Sequence, residues 1–506
     1  MFTHANQVEK VEQVRRILPN MHDPLESMMM IDSLQCLGID HHFLQEIQEI
    51  LSRQYNNLGG DPHKNLYHVA LSFRLLRQHG YYVSPGLRDE KGFKRELSQD
   101  IRGMLGLHEA SFVGIEGEEV LDEARNFTGK ILRASIDSSA DDPCLARLIS
   151  HTLEQPFHKS LPRFNTKAHL KNQQHGANGH QVLLRELAIL DFHEVQSLHQ
   201  TELGEVSKWW RELGLAQELT FARDQVQKWY MWPMAILSNP RFSKHRVELT
   251  KPISFIYIID DIFDVQGTLD ELILFTEAIQ RWEVSAIRRL PRYMQICFMA
   301  LYNITNEISY IVFKEHGWNP LQSLRKAWAD LCNAFLVEAK WFASGKRPKA
   351  ENYLKNGIIS SGVNVLLVHA FFLLGDGITK QSTEAVDSIP GLISSPASIL
   401  RLWDDLGSAK DESQDGNDGS YVELYMKENG ITSPSVARDH VMHRISEEWK
   451  ELNKECLYST LFSTSFKEAC LNTARMVKIM YSYDQNQRLP ALEESINSLL
   501  EEKVLL

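Results

Sequence analysis

An all-α fold is predicted. Apolar residues recur at intervals of three and four along nearly the whole chain, and no alternating run bounded by turn dipeptides reads as a strand. A composition of 43% hydrophobic and 24% charged residues agrees with a packed globular chain. It excludes a disordered tail, a collagen-like chain and a polytopic membrane protein. With 506 residues, two or three domains of roughly 100–200 residues each are expected.

The helical reading holds in order along the chain. Met28 to Ile50 shows the period, broken at Gly38. Leu183, Leu187, Leu190, Phe192, Val195 and Leu198 form one stripe; Leu272, Ile273, Thr276, Ile279 and Trp282 form another. Thr166 to Gln181 is polar, with Gly176 and Gly179, and reads as a linker. No tryptophan precedes Trp209, and all ten lie from there on. That shift supports two helical domains, 1–182 and 183–506. Ser360-Ser361-Gly362 interrupts an apolar stretch; the combination reads as a kink or as a helix-packing contact. Asp411 to Gly419 reads as a mobile surface loop.

Targeting and redox signals are weak. The N-terminal residues show no apolar signal core and are not Ser/Arg-rich, so a cytoplasmic location is expected. The apolar run Val363–Leu374 is too short to span a bilayer, and no membrane span is expected. Six cysteines are scattered singly without metal-type spacing and read as reduced thiols. Lys and Arg total 54 against 66 Asp and Glu, a net charge of −12. A chain so acidic is a poor nucleic-acid or anionic-membrane binder.

Two acidic clusters stand out. Ser254 to Ile259 is an apolar helical run that ends in Asp260, Asp261, Ile262, Phe263 and Asp264. Asp260 and Asp264 are four apart, hence on one helical face, where like charges repel. A cation relieves that repulsion; a solvated acidic helix end is the alternative reading. Asp404, Ser408 and Glu412 are also spaced by four and form one stripe if the helix continues. Carboxylate and hydroxyl oxygens, without His or Cys, suit Mg2+ rather than zinc. Two such clusters facing each other would gather several Mg2+ ions, a receptor for a diphosphate. Arg223 and Arg401 are suited to phosphate oxygens, although either alone could be a surface ion-pair residue. Asp141-Asp142, with no third ligand and no apolar helix before it, reads as a solvated loop.

These residues resemble the plant terpene synthase family over essentially the whole chain. Asp260-Asp261-Ile262-Phe263-Asp264 is similar to its DDxxD motif, and Asp404, Ser408 and Glu412 to its second metal motif, (N/D)Dxx(S/T)xxxE. Phe221-Ala222-Arg223-Asp224-Gln225 resembles its RxR region, and Phe73-Arg74-Leu75-Leu76-Arg77-Gln78-His79-Gly80-Tyr81 a signature of its N-terminal domain. The resemblance implies a non-catalytic, capping N-terminal α-barrel and a C-terminal class I terpenoid synthase α-helical bundle. It implies metal ligation by Asp260, Asp264, Asp404, Ser408 and Glu412, with three Mg2+ ions per site that Mn2+ replaces. Diphosphate contact carries over to Arg223 and Arg401. Asp261 matches the motif and stands beside the ligands, and Trp232 matches a pocket aromatic. The chain is then a lyase acting on farnesyl or geranyl diphosphate, working as a monomer.

The departures narrow this further. The RRx8W motif is absent, with Leu25 where Trp would follow Arg15-Arg16, and Gln225 replaces the second Arg of RxR. Tyr481-Ser482-Tyr483-Asp484-Gln485-Asn486 departs from the usual Asp-x-Tyr ending. Loss of RRx8W is associated with the g subfamily. Asn352-Tyr353-Leu354-Lys355-Asn356-Gly357 and the 411–421 stretch look like its linalool and nerolidol synthases. Water capture of the allylic cation at C3 is the expected outcome; other acyclic or cyclic mono- and sesquiterpenes are the alternative. A chain-elongating prenyltransferase expects an Asp where Ser408 stands, and a class II cyclase needs a DxDD motif that is absent. A non-catalytic helical scaffold would ignore Mg2+.

Overall fold

Capping residues mark where helices begin. Asp23, Asn65, Asp100 and Asp142 each accept a backbone N–H from the first turn that follows. Asp142 is thus a helix cap on the exposed surface. The computed structural model describes residues 2–57, 65–86, 99–138, 142–172, 179–408, 419–483 and 488–503. Among them every regular element is helical and no strand occurs. The Asp411–Gly419 loop falls almost wholly outside the described residues. The expected linker is corrected in part. Residues 166–172 complete helix Pro162–Asn172, and 179–181 open helix Gly179–Leu213. Polar composition misled the reading: Thr166 and Leu170 are both buried, so this segment packs through few apolar side chains.

The chain divides into two compact units. One comprises Met1–Ser197, Asn453–Tyr458 and Asn497–Leu506; the other Leu198–Leu452 and Ser459–Ile496. In the first, helix Leu66–Gln78 serves two cores. Leu71, Leu75 and Leu76 join Met28, Ile31, Phe43 and Ile47; Ala70 and Phe73 join Met104, Leu107 and Leu132. The arginines of the Phe73–Tyr81 signature are buried on the same helix. Arg74 pairs with Asp32, and Arg77 with Glu118 and the Val83 carbonyl. Asp191 joins His42, His41 and Arg163 in a further buried network.

The second unit packs long helices around Trp229, Phe255, Phe298, Trp328 and Phe371, all fully buried. Glu202 receives two hydrogen bonds from Arg246, Nη2 at 2.5 Å and Nε at 2.7 Å, and a third from Tyr230 at 2.5 Å. By length and composition, Arg292–His316 and Ala350–Leu374 would suffice to cross a membrane, so the latter stretch is longer than the Val363–Leu374 run alone suggested. Their most apolar windows are 50% and 83% buried within the protein, which marks them as packed helices. The second is interrupted: Ala350–Ser360 and Val363–Leu374 are separate helices, joined through Gly362 at φ +76°.

Candidate active site

The first acidic cluster ends a core helix. Ile253, Phe255, Ile258 and Ile259 bury helix Ser243–Asp261 and so fix where its last residues point. The chain then widens into a single π-helical turn, Ile262–Gln266, which holds Asp264. Such turns are frequent at functional sites. Asp260 and Asp264 face a cavity of about 240 Å³. Asp261 points elsewhere: it accepts the Arg223 backbone N–H at 2.8 Å and lies 2.7 Å from Arg223 Nε. The Arg223 guanidinium also bonds Asp260. Arg223 is therefore aimed by two neighbouring carboxylates.

The second cluster forms another wall. Helix Gly391–Ser408 places Arg401 and Asp404 in the same cavity lining. Arg401 donates to Ser360 Oγ at 3.3 Å and lies 3.9 Å from Asp404. Ser360 donates in turn to Glu338 at 2.7 Å. Asp405 turns away; its oxygens accept the Tyr353 hydroxyl at 3.1 Å and the Tyr421 N–H at 2.7 Å, which anchors the start of helix Tyr421–Asn429. The Ser408 side chain and all of Glu412 lie outside the described residues.

Glycines let these parts meet. A Cβ on Gly357 would sit 2.8 Å from Arg401 Cγ, so Arg401 crosses the helix where there is no side chain. A Cβ on Gly407 would sit 3.0 Å from the Tyr481 carbonyl and 2.9 Å from the Tyr483 ring. The segment carrying these tyrosines thereby lies against the second cluster.

Along the wall supplied by helix Ser243–Asp261 and the turn after it, Ile253, Ile256 and Tyr257 come first and the carboxylates Asp260 and Asp264 last. Burial, then Asp261, pushes the Asp260 carboxyl up, against the pull of Arg223. At the exposed rim, the enclosing walls and then Asp260 and Glu338 push Asp264 up to about 7. Burial pushes Asp404 up, opposed by Arg401 and Lys228. Three carboxylates that resist ionisation at one cavity need positive charge to stabilise them. Among the described residues the wall offers oxygen donors and neither His nor Cys, which fits a hard divalent cation. The wall also includes Ile253, Phe335, Val363 and Leu366, with the aromatics Trp232 and Tyr257. Trp232 Nε1 donates to the Tyr257 hydroxyl at 3.1 Å, which holds both rings.

Arg223, Trp232, Asp260, Asp264, Arg401 and Asp404, singled out from sequence, are thus brought to one cavity. Lys228, Tyr257 and Glu338 were missed. Tyr257 precedes Asp260 by three residues, so helical spacing could have found it. Lys228 follows Arg223 within the same segment, but nothing marked it apart from a surface lysine. Glu338 has no motif around it; only folding brings it to Ser360.

The chain matches two family models: "Terpene synthase, N-terminal domain" over residues 2–153, and "Terpene synthase family, metal binding domain" over residues 211–451. It is 52% identical over 495 residues to an (E)-nerolidol synthase of Cannabis sativa, covering 94% of this chain and 89% of that one. It is 46% identical over 509 residues to the chloroplastic S-(+)-linalool synthase of Arabidopsis thaliana, covering 99% and 88%. Its fold is similar to isoprene synthase of grey poplar (Populus x canescens), in a crystal structure with three Mg2+ ions and dimethylallyl-S-thiolodiphosphate. The TM-score is 0.93 at 39% identity, covering 100% of this chain and 98% of that one.

Proposed function

The chain belongs to the terpene synthase family, a lyase acting on prenyl diphosphates, and from that premise we propose that it converts farnesyl or geranyl diphosphate to acyclic tertiary alcohols, nerolidol and linalool. One observation carries the reading: three carboxylates and two arginines line one cavity together with apolar and aromatic side chains. That combination suits a substrate with an anionic head and a hydrocarbon tail. The names of the two plant relatives support the choice of product.

Asp260, Asp264 and Asp404 would hold Mg2+, joined in this proposal by Ser408 and Glu412, with three ions per site and Mn2+ as a substitute. When bound, Mg2+ supplies positive charge where negative charge builds on the leaving diphosphate. Arg223, aimed by Asp261, and Arg401, braced by Ser360 and Asp404, bind diphosphate oxygens and hold the head group in register. The allylic C–O bond breaks heterolytically, and its electron pair leaves with the diphosphate. The face of Trp232 stabilises the allyl cation left in the cavity. A water oxygen then bonds at C3 and loses a proton, giving the alcohol. The chemistry resides in residues 183–506, the 1–182 domain is non-catalytic, and the enzyme works as a monomer.

The test is direct. The purified chain is incubated with Mg2+ and either diphosphate, and volatiles are identified by gas chromatography. Nerolidol and linalool are expected. Mainly cyclic products would overturn the acyclic reading, and no volatile from either substrate would overturn the synthase reading. Asp260→Ala with full turnover would show that the metal assignment is wrong. A cytoplasmic location belongs to the same proposal; chloroplast fluorescence from a tagged full chain in leaf cells would refute it.

A further inference from the structure

The cavity wall carries three cationic side chains, and they are not held alike. Arg223 is bound by Asp260 and Asp261, and Arg401 by Ser360 and Asp404. Lys228, in the first turn of helix Val226–Ile236, lines the same cavity with no ion-pair partner among the described residues. Its ammonium rests 5.7 Å from the centre of the Tyr257 ring, and the Arg223 guanidinium lies 5.3 Å from the centre of that same ring. The lysine therefore sits beside Arg223 on the cavity wall.

We infer that Lys228 is a further substrate-binding residue, whose ammonium contacts the diphosphate oxygens alongside Arg223. This rests on the proposed prenyl diphosphate chemistry. Gln225, where sequence comparison would place a second arginine, is exposed and forms no part of the wall. The positive charge missing there is present one turn later, facing inward.

Electrostatics agree with the geometry. Burial and then Arg223 push the Lys228 pKa down, while Asp404 and Asp260 hold it up. Lys228 thus senses both acidic clusters and the arginine. A half-buried ammonium without an ion pair is costly, and an arriving oxyanion removes that cost. An ammonium is a compact point charge with three donors, so it meets phosphate oxygens without the bidentate geometry that arginine needs. Beside the Tyr257 ring its charge adds to that of Arg223, where it would meet the negative charge that builds on the leaving diphosphate.

The test measures diphosphate affinity apart from chemistry. Inorganic pyrophosphate with Mg2+ is titrated calorimetrically into the full chain, its Lys228→Met and Lys228→Gln variants, and Lys228→Arg. KM and kcat for farnesyl diphosphate are measured in parallel, with circular dichroism to confirm folding. Loss of a charged hydrogen bond predicts a rise in pyrophosphate Kd of roughly 10- to 100-fold in the neutral variants. Lys228→Arg should keep more affinity than the neutral variants, because it keeps the charge. Pyrophosphate affinity within about twofold of the parent in a folded neutral variant would overturn the inference. So would a change confined to product ratio, which would make Lys228 a product-directing residue. Failure of the functional reading looks different: the parent chain binds pyrophosphate but releases no volatile from either prenyl diphosphate.

Discussion

Gly362→Ala is the most informative single substitution. Gly362 joins two helices at φ +76°, and a Cβ there would lie 2.5 Å from Ile256 Cγ2. Two costs follow. A left-handed backbone costs a non-glycine residue about 1–2 kcal/mol. Overpacking against a fixed neighbour costs about 1–3 kcal/mol more. The sum is about 2–5 kcal/mol, and at roughly 2–4 °C per kcal/mol the melting temperature should fall by roughly 4–20 °C. Activity should fall with it, because Gly362 and Ile256 both line the cavity. A double-mutant cycle with Ile256→Ala separates the two costs. It removes the clashing methyl and leaves the backbone strain, so the two changes should be non-additive by about 1–3 kcal/mol. A Gly362→Ala protein that melts within about 1 °C of the parent, with additive effects in the cycle, would refute the close approach.

Gly357→Ala should separate stability from activity. Alanine favours the helix by about 1 kcal/mol, but its Cβ would lie 2.8 Å from Arg401 Cγ, an overpacking cost of about 1–3 kcal/mol; the net loss of stability should be about 2 kcal/mol or less, while displacement of Arg401 lowers turnover. Steady-state kinetics beside a melting curve check this. Mg2+ at a hundredfold excess over its Kd should stabilise the parent by about 2.7 kcal/mol, and EDTA should reverse it. The Asp260→Ala, Asp264→Ala double variant should lose most of that gain in a thermal shift measurement. Arg246→Met leaves the buried Glu202 carboxylate without its ion pair, a cost of about 3–5 kcal/mol in urea unfolding. Burial pushes Glu202 up, but Arg246, His199 and Tyr230 together bring it down to about 2 from 4.5. A depressed carboxyl stabilises the fold above its unfolded pKa, so this contribution is complete above about pH 4.5. It is lost as pH falls toward about 2, and the parent's acid-unfolding curve should steepen there relative to Glu202→Gln.

Helical spacing connects only residues three or four apart, and that limit explains what the sequence made legible. The Asp260–Asp264 relation was visible because the apolar run Ser254–Ile259 announces a core helix that carries Asp260 and runs into the turn that holds Asp264. The interruption at Ser360–Gly362 was visible as serine and glycine in an apolar run, but Gly362 beside Ile256 belongs to packing. The N-terminal signature was legible as a pattern, whereas burial of Arg74 and Arg77 against Asp32 and Glu118 was not. Polar composition suggested a linker over Thr166–Gln181 because a helix that buries few side chains leaves little apolar trace.

The sequence by itself determined the all-α class, the family and the positions of two acidic clusters, since these follow from periodicity and from residues close together in the chain. Tertiary structure decided which neighbour does what. Asp260 faces the cavity and Asp261 holds Arg223; Asp404 faces it and Asp405 anchors Tyr421. It also decided that Glu338 braces Ser360 and that Lys228 lines the cavity with no ion-pair partner among the described residues. Adjacent residues on a helix point about a quarter turn or more apart, and only the packing of each helix against the others settles which of the two looks inward.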